Sequence, residues 1–226
     1  MANNINVKTI ENLEELLTQD IAWRKKEMLS LKILVEHDEV NEPILLRAGI
    51  ALLCAHFEGF VKKASNCYIG YVSSQKLKYA KLKENFVALK MEQEFKTCAR
   101  SEKHSVHKKL LKNYEDLSTK KFTEKYNLDK PFISTHANPS SKELKEILLT
   151  IGVETDIFNT KSQFIDNSLL ANRHSVVHGE RSELSKVDFF STFDIIMELI
   201  DAYKEVIVKA AENKELVLRQ EKGLIK

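Results

Sequence analysis

The stretch Pro43-Ile-Leu-Leu-Arg47-Ala-Gly-Ile-Ala-Leu-Leu-Cys54-Ala-His56-Phe-Glu58-Gly-Phe60 decides the fold. Ile44, Leu45, Leu52 and Phe57 begin an apolar series at helical spacing that continues through Val61 and Tyr68. Ala48, Gly49, Ala51 and Ala55 are small enough to let a neighbouring helix approach. Pro43 suits a first helical turn, and Asn41 or Glu42 supplies the cap. The helix runs to about Ser73 and is the most apolar segment of the chain, so it belongs at the centre. Arg47, His56 and Glu58 interrupt it. Arg47 and Glu58 are expected at its edge and His56 against one buried partner; the alternative is a polar face turned towards a functional site, orienting it.

Outward from that helix the pattern stays helical. Residues 8–37 place Ile10, Leu13, Leu17, Ile21 and Met28 on one stripe, and His37 to Asn41 read as a polar connection. Residues 75–126 are Lys-rich and weakly periodic, which predicts one or two helices with a break near Arg100-Ser101. Residues 127–140, with Pro131, Asn138 and Pro139, form an irregular link. Ser140-Ser-Lys-Glu143 has the spacing of a capping box and opens a helix through Leu144, Ile147, Leu148 and Ile151, closed by Gly152. Thr160-Lys-Ser-Gln163 has the same spacing, and Ser185 begins a last long helix with Phe189, Phe190, Phe193, Ile196, Ile200, Tyr203, Ile207 and Ala211 on its buried side. Only 6 Gly and 3 Pro, and almost no alternating Val/Ile/Thr runs, point to an all-α protein. Neither half carries a complete apolar set, so residues 1–226 are expected to form a single domain with a Lys-rich helical insertion at about 75–140.

Thirty-five basic and 33 acidic residues leave a net charge of +2, too small to advertise nucleic acid globally. Nucleic-acid contact would have to come from local clusters such as Lys76, Lys78, Lys81 and Lys83, or Lys103, Lys108, Lys109 and Lys112. Most such runs are simply a solvated face. Cys54, Cys67 and Cys98 are odd in number and lack CxxC spacing, which suits reduced thiols in a cytoplasmic protein better than a disulfide frame or a zinc site. His104 and His107 lack a further ligand at metal-binding spacing and read as solvated surface. The N-terminus does not resemble a secretory signal, and the longest unbroken apolar run, Gly49 to Ala55, is short of the roughly 20 residues that span a bilayer. A soluble chain with no membrane partner is the expectation.

Chemistry concentrates in Ser168-Leu-Leu-Ala-Asn172-Arg173-His174-Ser-Val-Val-His178-Gly-Glu180. An arginine holds phosphate through a planar fork of donors, and a histidine moves protons near neutral pH. Arg173 and His178 are five residues apart, about 140° of rotation on an unbroken helix, whereas His174 and His178 share a face. Gly179 lets the backbone leave the helix there. A distorted helix end, or a second copy of the segment across a two-fold axis, would bring the groups together. The bland reading is a surface turn in which Arg173 pairs with Glu180 and His178 caps a helix end.

Arg173-His174-Ser-Val-Val-His178 resembles the Arg-polar-x3-His signature of the HEPN superfamily, and residues 47–60 resemble the N-terminal block of the MAE-type HEPN-like nucleases of prokaryotes. The resemblance covers roughly residues 10–73 and 160–210. It implies a HEPN-like bundle of long antiparallel helices, dimeric, with both motifs in one shared cleft. It further implies a metal-independent endoribonuclease without cofactor, of the kind found as toxins of toxin–antitoxin or phage-defence systems, with an antitoxin protein as a partner. Arg173 and His178 match its catalytic pair and His174 its polar position; Asn172, Glu180, Arg47 and Glu58 match only as supporting positions.

The residues suggest the same chemistry directly. A ribose 2′-hydroxyl loses its proton to a neutral histidine and attacks the adjacent phosphorus, a protonated group covers the departing 5′-oxygen, and Arg173 stabilises the phosphoryl oxygens. The products would be a 2′,3′-cyclic phosphate and a 5′-hydroxyl. The competing expectation is a non-catalytic helical module that binds RNA, nucleotide or a protein partner through the same cleft.

Overall fold

The computed structural model describes residues 7–124, 131–133, 140–166, 176 and 184–218. Three long helices carry the core: α1 (Ile10–His37), α2 (Glu42–Ser74) and the last helix, α7 (Lys186–Glu212). Between them lie a 3-10 turn (Tyr79–Lys81), α3 (Glu84–Ala99), α4 (His104–Ser118), α5 (Ser141–Ile151) and a single turn, α6 (Ser162–Phe164). The protein is all-α, as its composition required.

Short polar loops force α1 and α2 antiparallel, because residues 38–41 are too few for any other return. Asn41 spends its amide on Asp38 Oδ2 (2.8 Å) and leaves the first turn of α2 to Pro43. Cross-links show how α7 lies against the pair. Ion pairs Glu14–Lys204, Lys25–Asp201 and Lys32–Asp194 run in opposite order along α1 and α7, so these two are antiparallel. Glu42–Lys186 and Ser65–Tyr203 run in the same order, so α2 and α7 are parallel. The surface pairs set register more than they stabilise. Burial holds the layer together: Leu46, Ile50, Leu53, Phe57 and Phe60 of α2 meet Leu13, Leu17, Met28 and Val35 of α1 and Phe189, Ile196, Ile200 and Ile207 of α7. Of the expected apolar face of α7, only Phe190 is half-buried.

Ser65 and Tyr203 seal the α2–α7 contact. Ser65 Oγ donates its one proton to the Val61 carbonyl (2.8 Å), so the Tyr203 hydroxyl, 2.7 Å away, donates to Ser65. α2 is long and apolar enough to cross a membrane. The longest unbroken apolar run understates this, because Cys54 to Phe60 intersperses polar residues among buried ones. Here α2 is instead the core helix between α1 and α7.

The Lys-rich middle folds as the expected pair of helices, breaking at Arg100 where α3 ends. Its base is fastened to the core. Tyr79, Leu82, Phe86 and Phe122 are buried together, with rings 5.4 and 5.5 Å apart around Phe122. Residues 216–218 bond back to Lys81 and Lys83. α5 ends as its sequence predicts, with the Ser140 hydroxyl accepting from Glu143 N (3.0 Å) and Gly152 in the left-handed region (φ 73°).

One expected cap does not form. Thr160 Oγ1 donates to the Ile157 carbonyl (3.4 Å) in a turn over residues 157–161, and the Thr160-x-x-Gln163 box is absent; Lys161 stands at the cap of α6, where its side chain makes no capping bond. The turn wins because Asp156 and Asn159 already close it (2.7 Å), leaving Thr160 inside the bend and no longer ahead of a helix.

Candidate functional site

Arg173, His174, His178, Asn172 and Glu180 lie outside the described residues. What is described is how the chain enters and leaves their segment. On the entry side Ile165 is fully buried, and Asp166 accepts from Ser141 N (2.8 Å) and Ser141 Oγ, tying the segment to the first turn of α5. Lys161 pairs with Glu198 (2.7 Å) and Phe158 packs on Tyr203 (5.7 Å), so this end is fixed to the middle of α7. Val176 is helical and half-buried.

The exit is held at least as firmly. Ser185 and Asp188 form a reciprocal capping box, with Asp188 N donating to Ser185 Oγ (3.1 Å) and Ser185 N to Asp188 Oδ2 (3.1 Å). The Ser185 hydroxyl, which donates to Asp188 Oδ2 (2.6 Å), and after it the Ser185 N–H hold the Asp188 carboxyl below its ordinary pKa. One turn on, Phe189 presses against Gly49 so closely that a Cβ there would lie 2.6 Å from the ring, and Lys186 pairs with Glu42 (3.1 Å). Gly49 therefore seats the start of α7, directly after the Arg/His segment, whereas Ala48 and Ala55 are exposed and admit no neighbour. A cleft of about 400 Å³ lies on the entry side, lined by Ser141, Lys145, Asp156, Phe158 and Ser162 among others.

Arg47 and Glu58 are both half-buried on α2, and neither is free of partners. Eleven residues rotate an α-helix about 20° beyond three full turns, so the two share a face with Cys54 and Ser65. Along the axis they are about 16 Å apart, so they do not form one cluster. Arg47 belongs to the end of α2 that seats α7, and Glu58 lies further along.

His56 points elsewhere, towards α1, and meets a polar group that the sequence reading missed. Arg24, 8 % exposed, donates from Nε to Asp20 Oδ2 (2.7 Å) and from Nη1 to the His56 carbonyl (3.2 Å). Its guanidinium lies 4.5 Å from the centre of the Trp23 ring, and Trp23 Nε1 donates to Asp20 Oδ1 (3.2 Å). Trp23 in turn meets the His56 imidazole edge-on at 5.3 Å. Gly59 makes room, since a Cβ there would lie 2.8 Å from Arg24 Nη1. Glu27 Oε2 stands 3.0 Å from His56 Nε2 but off the direction of a ring N–H, so it acts as an electrostatic neighbour more than a bonded one. Burial lowers the His56 pKa; Glu27 opposes this and Arg24 reinforces it. One signal was available: Arg24 falls in the stripe Leu17, Ile21, Met28, Leu31, where an apolar residue belongs.

Cys54 and Cys67 are buried reduced thiols and Cys98 a half-buried one, and burial raises the Cys67 pKa to about 11. His104 and His107 are exposed, and His107 Nε2 bonds the Ser101 carbonyl (2.8 Å), joining α4 to the turn before it. Among the described residues no group of three or more His, Cys, Asp or Glu is placed to hold a metal ion.

The family model described as RiboL-PSP-HEPN matches residues 19–209. The match takes in most of α1, all of α2, the Arg/His stretch and nearly all of α7. No curated protein and no solved structure matches the chain.

Proposed function

This chain belongs to the RiboL-PSP-HEPN family, and from that premise we propose that it is a metal-independent endoribonuclease. Membership supports a nuclease-related role in general. The observation that carries the finer reading is the Arg173-His174-x3-His178 spacing inside the matched residues, between two ends tied to buried core. A rigid frame on both sides suits a reaction whose barrier falls chiefly through positioning and charge stabilisation.

In this reading His178 in its neutral form takes the proton of a ribose 2′-hydroxyl. The 2′-oxygen forms a bond to phosphorus as the bond from phosphorus to the 5′-oxygen breaks. A protonated histidine, His174 or the second copy of His178 in a homodimer, returns a proton to the 5′-oxygen. Arg173 holds the phosphoryl oxygens throughout. Asn172 and Glu180 support the segment, and Arg47 steadies it from α2. The physiological role that fits is a toxin of a toxin–antitoxin or phage-defence system, restrained by an antitoxin protein.

The test is incubation with total cellular RNA in EDTA, followed by end-group analysis, beside Arg173→Ala and His178→Ala. Cleavage that leaves cyclic phosphates and 5′-hydroxyls, and is lost in both folded variants, is the expected result. RNA binding without cleavage at any protein concentration would leave a binding module instead.

A further inference from the structure

Lys78 and Lys121 face one another in an isolated antiparallel bridge. The main-chain bonds flanking them, Tyr79 N to Lys120 O (3.0 Å) and Phe122 N to Leu77 O (2.8 Å), make them a non-hydrogen-bonded pair. In such a pair the Cα atoms approach to about 4.5 Å and the side chains are at their nearest. Like charges set opposite one another oppose folding. Both lysines are exposed, and neither is held by a carboxylate among the described residues.

The surroundings add charge of the same sign. Lys120 precedes Lys121, and Lys76 sits two residues before Lys78 in the left-handed region (φ 52°); both are exposed. Lys8 is brought alongside because its carbonyl accepts from Ser74 Oγ (3.4 Å) and Gln75 Nε2 (3.3 Å). The adjacent Glu124 carboxylate is turned away to Lys90 (2.6 Å) and the Tyr79 hydroxyl (3.4 Å). Lysines after the end of α4 complement its dipole, which explains Lys120 and Lys121 alone. It does not explain why residues from two other stretches converge on them.

We propose that Lys8, Lys76, Lys78, Lys120 and Lys121 form a platform for the sugar–phosphate backbone of RNA. That the polyanion is RNA rests on the ribonuclease reading. The platform sits at the C-terminal end of α2, whereas α7 is seated at Gly49 near the other end. From Gly49 to Gln75 the helix rises about 40 Å at ~1.5 Å per residue. An RNA touching both regions needs on the order of a dozen nucleotides if its bases stay stacked at ~3.4 Å each. A strand that reaches from the start of α7 to the platform must therefore be long, and the platform favours such strands over short ones.

The test uses the full chain and a labelled single-stranded RNA of about two dozen nucleotides, with anisotropy read over a range of salt. Combined Lys76→Gln, Lys78→Gln, Lys120→Gln and Lys121→Gln is expected to weaken binding roughly tenfold at low salt. It should also flatten the slope of log affinity against log salt by about 3, at ~0.7 per phosphate contact. Lys121→Gln alone gives a smaller loss of the same sign, and its unchanged or raised melting temperature keeps misfolding from imitating the effect. Unchanged affinity and slope overturn the proposal. So does an equal loss from Lys26→Gln, Lys96→Gln, Lys204→Gln and Lys209→Gln combined, or tighter binding of polyglutamate than of RNA. Cleavage is read separately: on an oligonucleotide of about six residues the platform variant works at the wild-type rate, while KM rises for the long one. Absence of cleavage by the wild-type chain sinks the nuclease and leaves the binding result standing.

Discussion

Arg24 of α1 donates from Nη1 to the main-chain carbonyl of His56 on α2, 3.2 Å away. The carbonyl has a lone pair to spare beyond its helical bond, so the contact costs α2 nothing. It also fixes the rotation of α2 about its axis, and with it the direction of Arg47 and Glu58 on another face.

Removing the guanidinium should therefore destabilise the protein out of proportion to its single charge. Arg24→Ala strands Asp20, whose side chain is only 14 % exposed, and a broken buried pair costs about 3 kcal/mol. Arg24→Met with Asp20→Asn should recover most of that, because neither partner is then left uncompensated. Urea unfolding of the single and double variants measures it; additive losses would mean the pair is not coupled.

Gly49→Ala sets two effects against each other. Alanine gains about 1 kcal/mol of helix propensity over glycine. Its Cβ would meet the fully buried Phe189 ring at 2.6 Å, and overpacking costs about 1–3 kcal/mol. The ring has nowhere to go, so we expect a net loss and a displaced start of α7. RNA cleavage by the folded variant should fall as well, read as kcat on a short oligonucleotide.

The cap at Ser185 gives a cleaner version of the same idea. Ser185→Ala removes the acceptor for Asp188 N and should cost about 1 kcal/mol. Fraying there loosens the exit of the Arg/His segment, so thermal midpoint and cleavage rate should drop together. Ser185→Thr, which keeps a hydroxyl able both to accept from Asp188 N and to donate to Asp188 Oδ2, should restore both.

His56 makes stability depend on pH in a definite direction. Burial holds its folded pKa below the unfolded value, so the unfolded chain binds more protons in that range and stability rises with pH. The contribution is complete above the unfolded pKa of ~6.5 and is lost as pH falls below it towards the folded value. Unfolding free energy should decline between neutral and mildly acidic pH, and His56→Gln should flatten that part of the curve. A decline of equal slope in the variant would assign it to other groups.

Sequence alone determined what depends on near neighbours along the chain. The stripe of Leu13, Leu17 and Ile21, the Ser140 and Gly152 ends of α5 and the Ser185 cap are all local relations, fixed by helical geometry and by which groups hydrogen-bond within a turn. Thr160 shows the limit even there, since a competing turn took its hydroxyl. Tertiary structure decided what depends on meeting across the fold. Arg24 is tolerable in an apolar stripe only because Asp20, Trp23 and the His56 carbonyl surround it, and Lys78 faces Lys121 only because Phe122 is buried beside Tyr79 and Phe86. Such partners are chosen by the free energy of closing the whole core, to which no short window of residues gives access.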